Sequence, residues 1–241
     1  MENKLDFLAF GAHPDDVELG CSGALLKATD NGKKVGIIDL TRGELGTRGS
    51  SEIRSKETKA ASKVLGIGIR ENLEFKDGFF INDIEHQMKI ISIIRKYKPD
   101  FIFCNAPDDR HIDHPKASKL IVESSFLSGL AKIKTVDESG NDQSHWRPKN
   151  IFHYIQWKNL KPDFILDISG YMHSKMNAIK CYRSQFYDAK SKEPETPISK
   201  KNFLDFIESR AVDYGRLIGV EHGEGFISHR TTGLTSLNDF I

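Results

Sequence analysis

Two short clusters carry the side chains best suited to do chemistry. The first is Ala12-His13-Pro14-Asp15-Asp16-Val17-Glu18-Leu19-Gly20; the second, much later in the chain, is His111-Ile112-Asp113-His114. Imidazole and carboxylate are the donors of a hydrolytic zinc site, where three protein ligands leave one position open for water. His13 and Asp16 lie three apart at a predicted strand-to-helix turn, so both can face one point. Pro14 fixes its own backbone and keeps His13 out of the α region, which stiffens that turn. Asp15 and Asp16 are adjacent and would repel; a divalent cation removes that penalty, with one carboxylate on the metal and the other beside its water. His114 is the natural third ligand. His111 could donate a hydrogen bond to an oxyanion, Asp113 could orient an imidazole, and Asp15 could carry the water proton to a leaving amine. Taken singly, each cluster also reads as a helix cap or a satisfied core group.

Other polar residues cluster more loosely. The loop 41–50 contains three glycines and places Arg42, Glu44 and Arg48 at a pocket rim. Arg54 falls near a helix N-terminus, where the dipole disfavours a cation, so a carboxylate partner or ligand is expected. His222, in Glu221-His222-Gly223-Glu224-Gly225, is a further candidate for the pocket.

The elements that must position these groups can be read from apolar runs. Residues 5–11, 35–40, 73–75 and 101–104 read as strands, and 17–31, 51–65 and 83–97 as helices. Alternation of apolar strands with helices predicts an α/β fold, a Rossmann-like, mostly parallel sheet covered by helices on both faces. Ligands of such sheets bind at the carboxyl ends of the strands. His13 follows the first strand, Arg42 the second and His111 the strand at 101–104, so all three loops should open on one edge. Beyond them, 152–156 and 164–168 read as strands, 171–183 and 200–217 as helices, and 134–149 and 188–199 as polar loops.

The 241 residues, with 38% hydrophobic and 29% charged side chains, predict one soluble domain over 1–241. Thirty-five basic against 34 acidic residues leave a net charge of +1, which gives no case for nucleic acid or an acidic membrane surface. No apolar run reaches the ~20 residues of a membrane span. Three scattered cysteines and no leader-like N-terminus point to the cytoplasm.

Ala-His-Pro-Asp-Asp-x-Glu-x-Gly with a later His-x-x-His resembles the PIG-L/LmbE superfamily of zinc N-deacetylases, which act on N-acetylglucosaminyl compounds. Residues 40–49, 109–114, 184–186 and 208–226 narrow the resemblance to the branch that deacetylates N-acetylglucosaminyl malate in bacillithiol biosynthesis, so that it spans nearly the whole chain. It implies His13, Asp16 and His114 as zinc ligands and Asp15 as general base and acid. It implies His111 as the oxyanion group, with Asp113 behind it. Arg54 and Arg110 fall where that branch lines its substrate pocket, and guanidinium groups suit malate carboxylates. Ile112 stands where proline was expected, a change confined to the loop backbone. A homo-oligomer, trimer or hexamer, is implied as well. The alternatives are a deacetylase of another N-acetylglucosamine compound, such as a chito-oligosaccharide or antibiotic precursor, and a nucleotide-binding module with Asp39 as its ribose-binding acid. Against the last, the first turn lacks GxGxxG and its two carboxylates would repel a pyrophosphate.

Overall fold

The computed structural model describes residues 4–234 and 236. One seven-stranded sheet runs through them: β1 (Phe7–Gly11), β2 (Val35–Thr41), β3 (Ile69–Phe75), β4 (Phe101–Asn105), β5 (Asn150–Tyr154), β6 (Phe164–Asp167) and β7 (Gly223–Ser228), in the order β3-β2-β1-β4-β5-β7-β6. The first five of that order pair in parallel; β7 runs antiparallel to both β5 and β6.

The strands alternate their faces. Leu8, Phe10, Ile38 and Ile102 pack on Ile90 and Ile94 of α3 (Ile84–Tyr97) and on Leu120 and Ile121 of α4 (Asp113–Ser128). Ala9, Ile37 and Phe103 face the other way, onto Val17, Cys21 and Leu25 of α1 (Asp16–Asp30). Both faces are therefore covered, as the unbroken apolar runs of the strands require. Each fully buried Leu, Ile, Val or Phe among them contributes about 1.5–3 kcal/mol. A third cluster joins α2 (Ser51–Leu65), α5 (Met172–Ile179) and α6 (Lys201–Ile218) through Ala61, Met172, Met176, Phe203 and Ile207. It forms beside the carboxyl edge of the sheet and supplies one wall of the site.

Several elements differ from the sequence reading: β3 starts at Ile69 and not at 73, and β5 spans Asn150–Tyr154 and not 152–156. The helix expected over 171–183 stops at Ile179, and the chain continues as turns in which Tyr182, Gln185 and Phe186 amides bond back to carbonyls. The segment 134–149 is an anchored loop: Trp146 Nε1 donates to Pro99 O at 2.7 Å, and Gln143 bonds Ser92. The glycine-rich 221–225 stretch opens β7, a strand the sequence reading lacked. No helix among the described residues is long and apolar enough to cross a membrane.

Candidate active site

The loops after β1, β2, β3 and β4 meet at one edge of the sheet and bound a cavity of about 480 Å³. At the first, Pro14 is followed by Asp15 with φ +121°, a conformation costing a non-glycine residue on the order of 1–3 kcal/mol. Arg54 of α2 holds this turn. Its Nη1 donates to Pro14 O at 2.8 Å and to Asp15 Oδ2 at 3.3 Å, all three residues being buried. α1 then begins at Asp16, whose carboxylate turns back under His13.

His13, Asp16 and His114 come together. Asp16 Oδ2 is 3.5 Å from His13 Nδ1, and Oδ1 is 3.2 Å from His114 Nε2. The carboxylate is fixed by His13 N, Asn105 Nδ2 and Gln156 Nε2 at 2.8–3.0 Å. Each imidazole is anchored through its other nitrogen: His13 Nε2 lies 3.1 Å from Asp77 and 3.4 Å from Asp113, and His114 Nδ1 lies 2.6 Å from Asp109. Ring nitrogens of His13, His111 and His114 gather within 4.8 Å of one another. Imidazoles backed by carboxylates on one nitrogen and converging with the other are the usual arrangement around a catalytic metal. The donor set fits a divalent cation with mixed nitrogen and oxygen ligands. A second His13–Asp77–Asp113 grouping is equally compact, but Leu45 N, Gly78 N and Lys116 already occupy its carboxylates.

The charges follow from this packing. Burial opposes charging of His13, yet the carboxylates of Asp113, Asp16 and Asp77 outweigh it and raise its pKa. His114 is likewise raised, to about 9, with Asp16 and Asp109 overcoming desolvation. Asp16 is held well below the usual carboxylate range, because the two imidazoles outweigh its burial. Asp15 behaves oppositely: burial pushes it up to about 7, with Arg54 only partly offsetting this. His111 is lowered to about 4 by burial and then by the charge of His13 and His114. Its ring is therefore neutral at pH 7. Because Asp113 N donates to His111 Nδ1 at 3.3 Å, the ring proton resides on Nε2.

Several expectations need correction. The Asp113 carboxylate does not back His111; it accepts from Gly78 N at 2.7 Å and Lys116 at 3.1 Å, and only its main-chain amide meets His111. Arg42 is exposed, pairs with Glu52 at 3.4 Å and lies outside the cavity, since the chain turns at Gly43 (φ +64°) and Arg54 fills the inner space. Glu44 does not line the cavity either; it accepts from Asp77 N at 2.8 Å and ties two loops together. Arg48 is buried against Ser191 and Glu193. His222 sits at the start of β7 beside Ser169, away from the cavity. Asp39 is buried and engaged by Arg70 through two bonds of 2.8 and 2.9 Å, which removes it as a ribose-binding acid. Arg54 and Arg110 do line the cavity, with the Arg110 guanidinium 4.4 Å over the Trp157 ring. The segment 188–199 contributes Thr196, Pro197 and Ile198 to the wall. Asp77, Asn105, Asp109 and Gln156 were missed. Asn105 ends β4, and Asp77, Asp109 and Gln156 follow β3, β4 and β5; all three strands are parallel members of the sheet, the one signal that could have found these residues.

A convergent His/Asp donor set, a buried carboxyl poised near neutrality and a neutral imidazole at the carboxyl edge of a parallel sheet are the parts of a metal-dependent amide hydrolase. The family model of the PIG-L GlcNAc-PI de-N-acetylases matches residues 8–125. A conserved protein of Thermus thermophilus has a solved structure with a TM-score of 0.85 and 33% identity, covering 97% of this chain and 98% of its own. Diacetylchitobiose deacetylase of Thermococcus kodakarensis is 28% identical over 229 residues, 90% of this chain and 80% of the relative. The solved N,N′-diacetylchitobiose deacetylase of Pyrococcus horikoshii superposes with a TM-score of 0.79 at 27% identity, covering 97% and 89%. The chain belongs to the PIG-L family of de-N-acetylases.

Proposed function

We propose that this protein hydrolyses the N-acetyl group of a small N-acetylglucosamine-containing compound, releasing acetate and a free amino sugar. The observation that carries this reading is the pairing, in one cavity, of a buried Asp15 with a raised pKa and a neutral His111 beside the donors His13, Asp16 and His114. The two imidazoles and one carboxylate suit zinc, which when bound polarises the acetamide oxygen and acidifies water. Asp15 takes the proton of the attacking water and passes it to the departing nitrogen, a task that needs a pKa near the working pH. His111 donates its Nε2 proton in a hydrogen bond to the oxygen on which charge develops.

The similarity to diacetylchitobiose deacetylases favours a chito-oligosaccharide as substrate. A second reading, N-acetylglucosaminyl malate, is favoured by Arg110, whose guanidinium stands at the cavity wall over Trp157 and suits a carboxylate. A homo-oligomer, trimer or hexamer, is what the resemblance implies; the exposed Phe79, Ile81 and Ile84 after β3 offer an apolar surface for such a contact, and the cytoplasm remains the expected compartment. Sedimentation velocity reads the assembly.

The test is acetate release by zinc-loaded protein from N,N′-diacetylchitobiose, N-acetylglucosaminyl malate and N-acetylglucosamine. Asp15→Asn should keep zinc and lose about 10²–10⁴-fold in kcat. Near wild-type turnover in that variant would overturn the role of Asp15. No acetate from any of the three would overturn the substrate class.

A further inference from the structure

A second groove, of about 690 Å³, adjoins the catalytic cavity. Trp157, Thr196, Pro197 and Phe203 line both, so the two spaces share a wall and together exceed what one sugar ring fills. We propose that this groove is a subsite for an uncharged pyranose ring linked to the N-acetylglucosaminyl unit being deacetylated; the proposal rests on the deacetylase reading above.

Three features select such an occupant. The floor is an aromatic strip: Trp157 and Phe203 are stacked at 5.9 Å and 19°, and Phe206 continues the strip 6.1 Å from Phe203. Aromatic surface accepts the apolar C–H face of a pyranose, while its hydroxyls need groups that both donate and accept. The exposed amides of Asn159 and Asn202 in the same groove provide them. Of the charged groups around it, Lys200 Nζ lies 3.5 Å from Glu195 Oε1, and Arg210 stacks 4.4 Å over Phe206 with its guanidinium turned to the carbonyls of Ile155 and Trp157. Arg110, over Trp157, lines the catalytic cavity and not this groove, so the groove's own lining favours an uncharged group.

The shared wall is preformed. Thr196 N donates to Ser199 Oγ at 2.8 Å and Ser199 N to Thr196 Oγ1 at 3.2 Å, closing a tight turn around Pro197 just before α6. A ring leaving the catalytic cavity along Trp157 meets a surface already in place, which limits the ordering cost of binding.

The experiment compares N-acetylglucosamine, N,N′-diacetylchitobiose and N,N′,N″-triacetylchitotriose. Acetate release by the zinc-loaded enzyme gives kcat/KM at each length. Binding to zinc-loaded Asp15→Asn, followed by tryptophan fluorescence, gives Kd without turnover; Trp157 is one of only two tryptophans. The expected result is a gain of about tenfold or more on adding the second ring, equivalent to about 1.4 kcal/mol. The ratio of disaccharide to monosaccharide should fall toward one in Phe206→Ala. The exposed Asn202→Ala repeats the test without disturbing the aromatic packing and should lower the same ratio severalfold.

Equal kcat/KM and equal Kd at all three lengths would overturn the subsite and leave the deacetylase reading standing. Acetate from none of them, with tighter binding of the longer sugars that Phe206→Ala abolishes, would overturn the deacetylase reading and support the subsite. Neither acetate release nor length-dependent binding would overturn both.

Discussion

Arg54 Nη1 stands 3.3 Å from Asp15 Oδ2 while also donating to Pro14 O, so one buried guanidinium holds both the carboxyl and the strained peptide before it. Burial drives the Asp15 pKa up to about 7, and the Arg54 charge is the largest opposing influence. A base works unprotonated, so kcat/KM should rise with pH through an acidic limb at or below about 7, a bound cation acting in the same direction as Arg54. Arg54→Gln removes the charge and should move that limb up by roughly one unit or more, with a larger loss at pH 6 than at pH 8. In the metal-free protein the proton is held more tightly folded than unfolded. The stability from protonated Asp15 is therefore fully present below its ordinary value of 3.8 and is lost as pH rises toward 7. A pH–rate profile of wild type and Arg54→Gln checks this; an acidic limb that stays in place would confine Arg54 to substrate contact.

Asp109 bonds His114 Nδ1 at 2.6 Å and is itself fixed by the amides of Arg110 and Lys158. It therefore sets the direction in which Nε2 points. Asp109→Asn should weaken zinc binding about 10–100-fold while leaving the fold intact, and His114→Ala should abolish binding. Competition with a chelator gives both values. Wild-type affinity in Asp109→Asn would mean that the His114 ring is oriented by other contacts.

The parallel half of the fold was legible because its strands are buried on both faces and read as unbroken apolar runs. That topology alone brings His13, Asp16, His111 and His114 to one edge. β7 was not legible. Gly223-Glu224-Gly225 has the composition of a turn; it lies in a strand paired with β6, and its buried Glu224 is met by Lys175 and by two amides of α1, all far away in sequence. The backing carboxylates escaped for a related reason. Asp77 belongs to no short motif and backs His13, which another loop supplies; Asp109 opens the 109–114 segment, but only the turn that follows brings its carboxylate onto Nδ1 of His114, five residues on. Asp113 was read as a partner of the nearer His111, yet Gly78 N and Lys116 draw its carboxylate elsewhere.

Gly20 in α1 is present because of a side chain across the core. A Cβ there would lie 2.1 Å from Tyr154 Cδ2, and Tyr154 cannot retreat, being buried with its hydroxyl bonded to Phe10 O at 2.8 Å. Gly20→Ala should cost about 1–3 kcal/mol or more through overpacking. Gly68→Ala meets no atom within 4 Å and should be neutral or slightly stabilising. Urea unfolding of the two variants gives the contrast, and equal midpoints would show that Tyr154 can move.

Lys175 and Glu224 form a buried ion pair at 2.7 Å, with side chains 3% and 4% exposed. Glu224 also accepts from Gly23 N and Ala24 N, and Lys175 donates to Leu19 O, so the pair fastens β7 and α5 to the middle of α1. Removing one partner leaves a buried charge uncompensated, so Glu224→Ala should cost about 3–5 kcal/mol. Replacing both, as in Lys175→Met with Glu224→Gln, removes the charges together and should cost clearly less than the sum of the single changes. Neither residue lines the catalytic cavity. Protein that remains folded at low temperature should therefore keep kcat within a few-fold of wild type. A double-mutant cycle in urea with matched kinetics separates the outcomes; strictly additive costs would mean that each residue is held by its backbone partners and not by the other's charge.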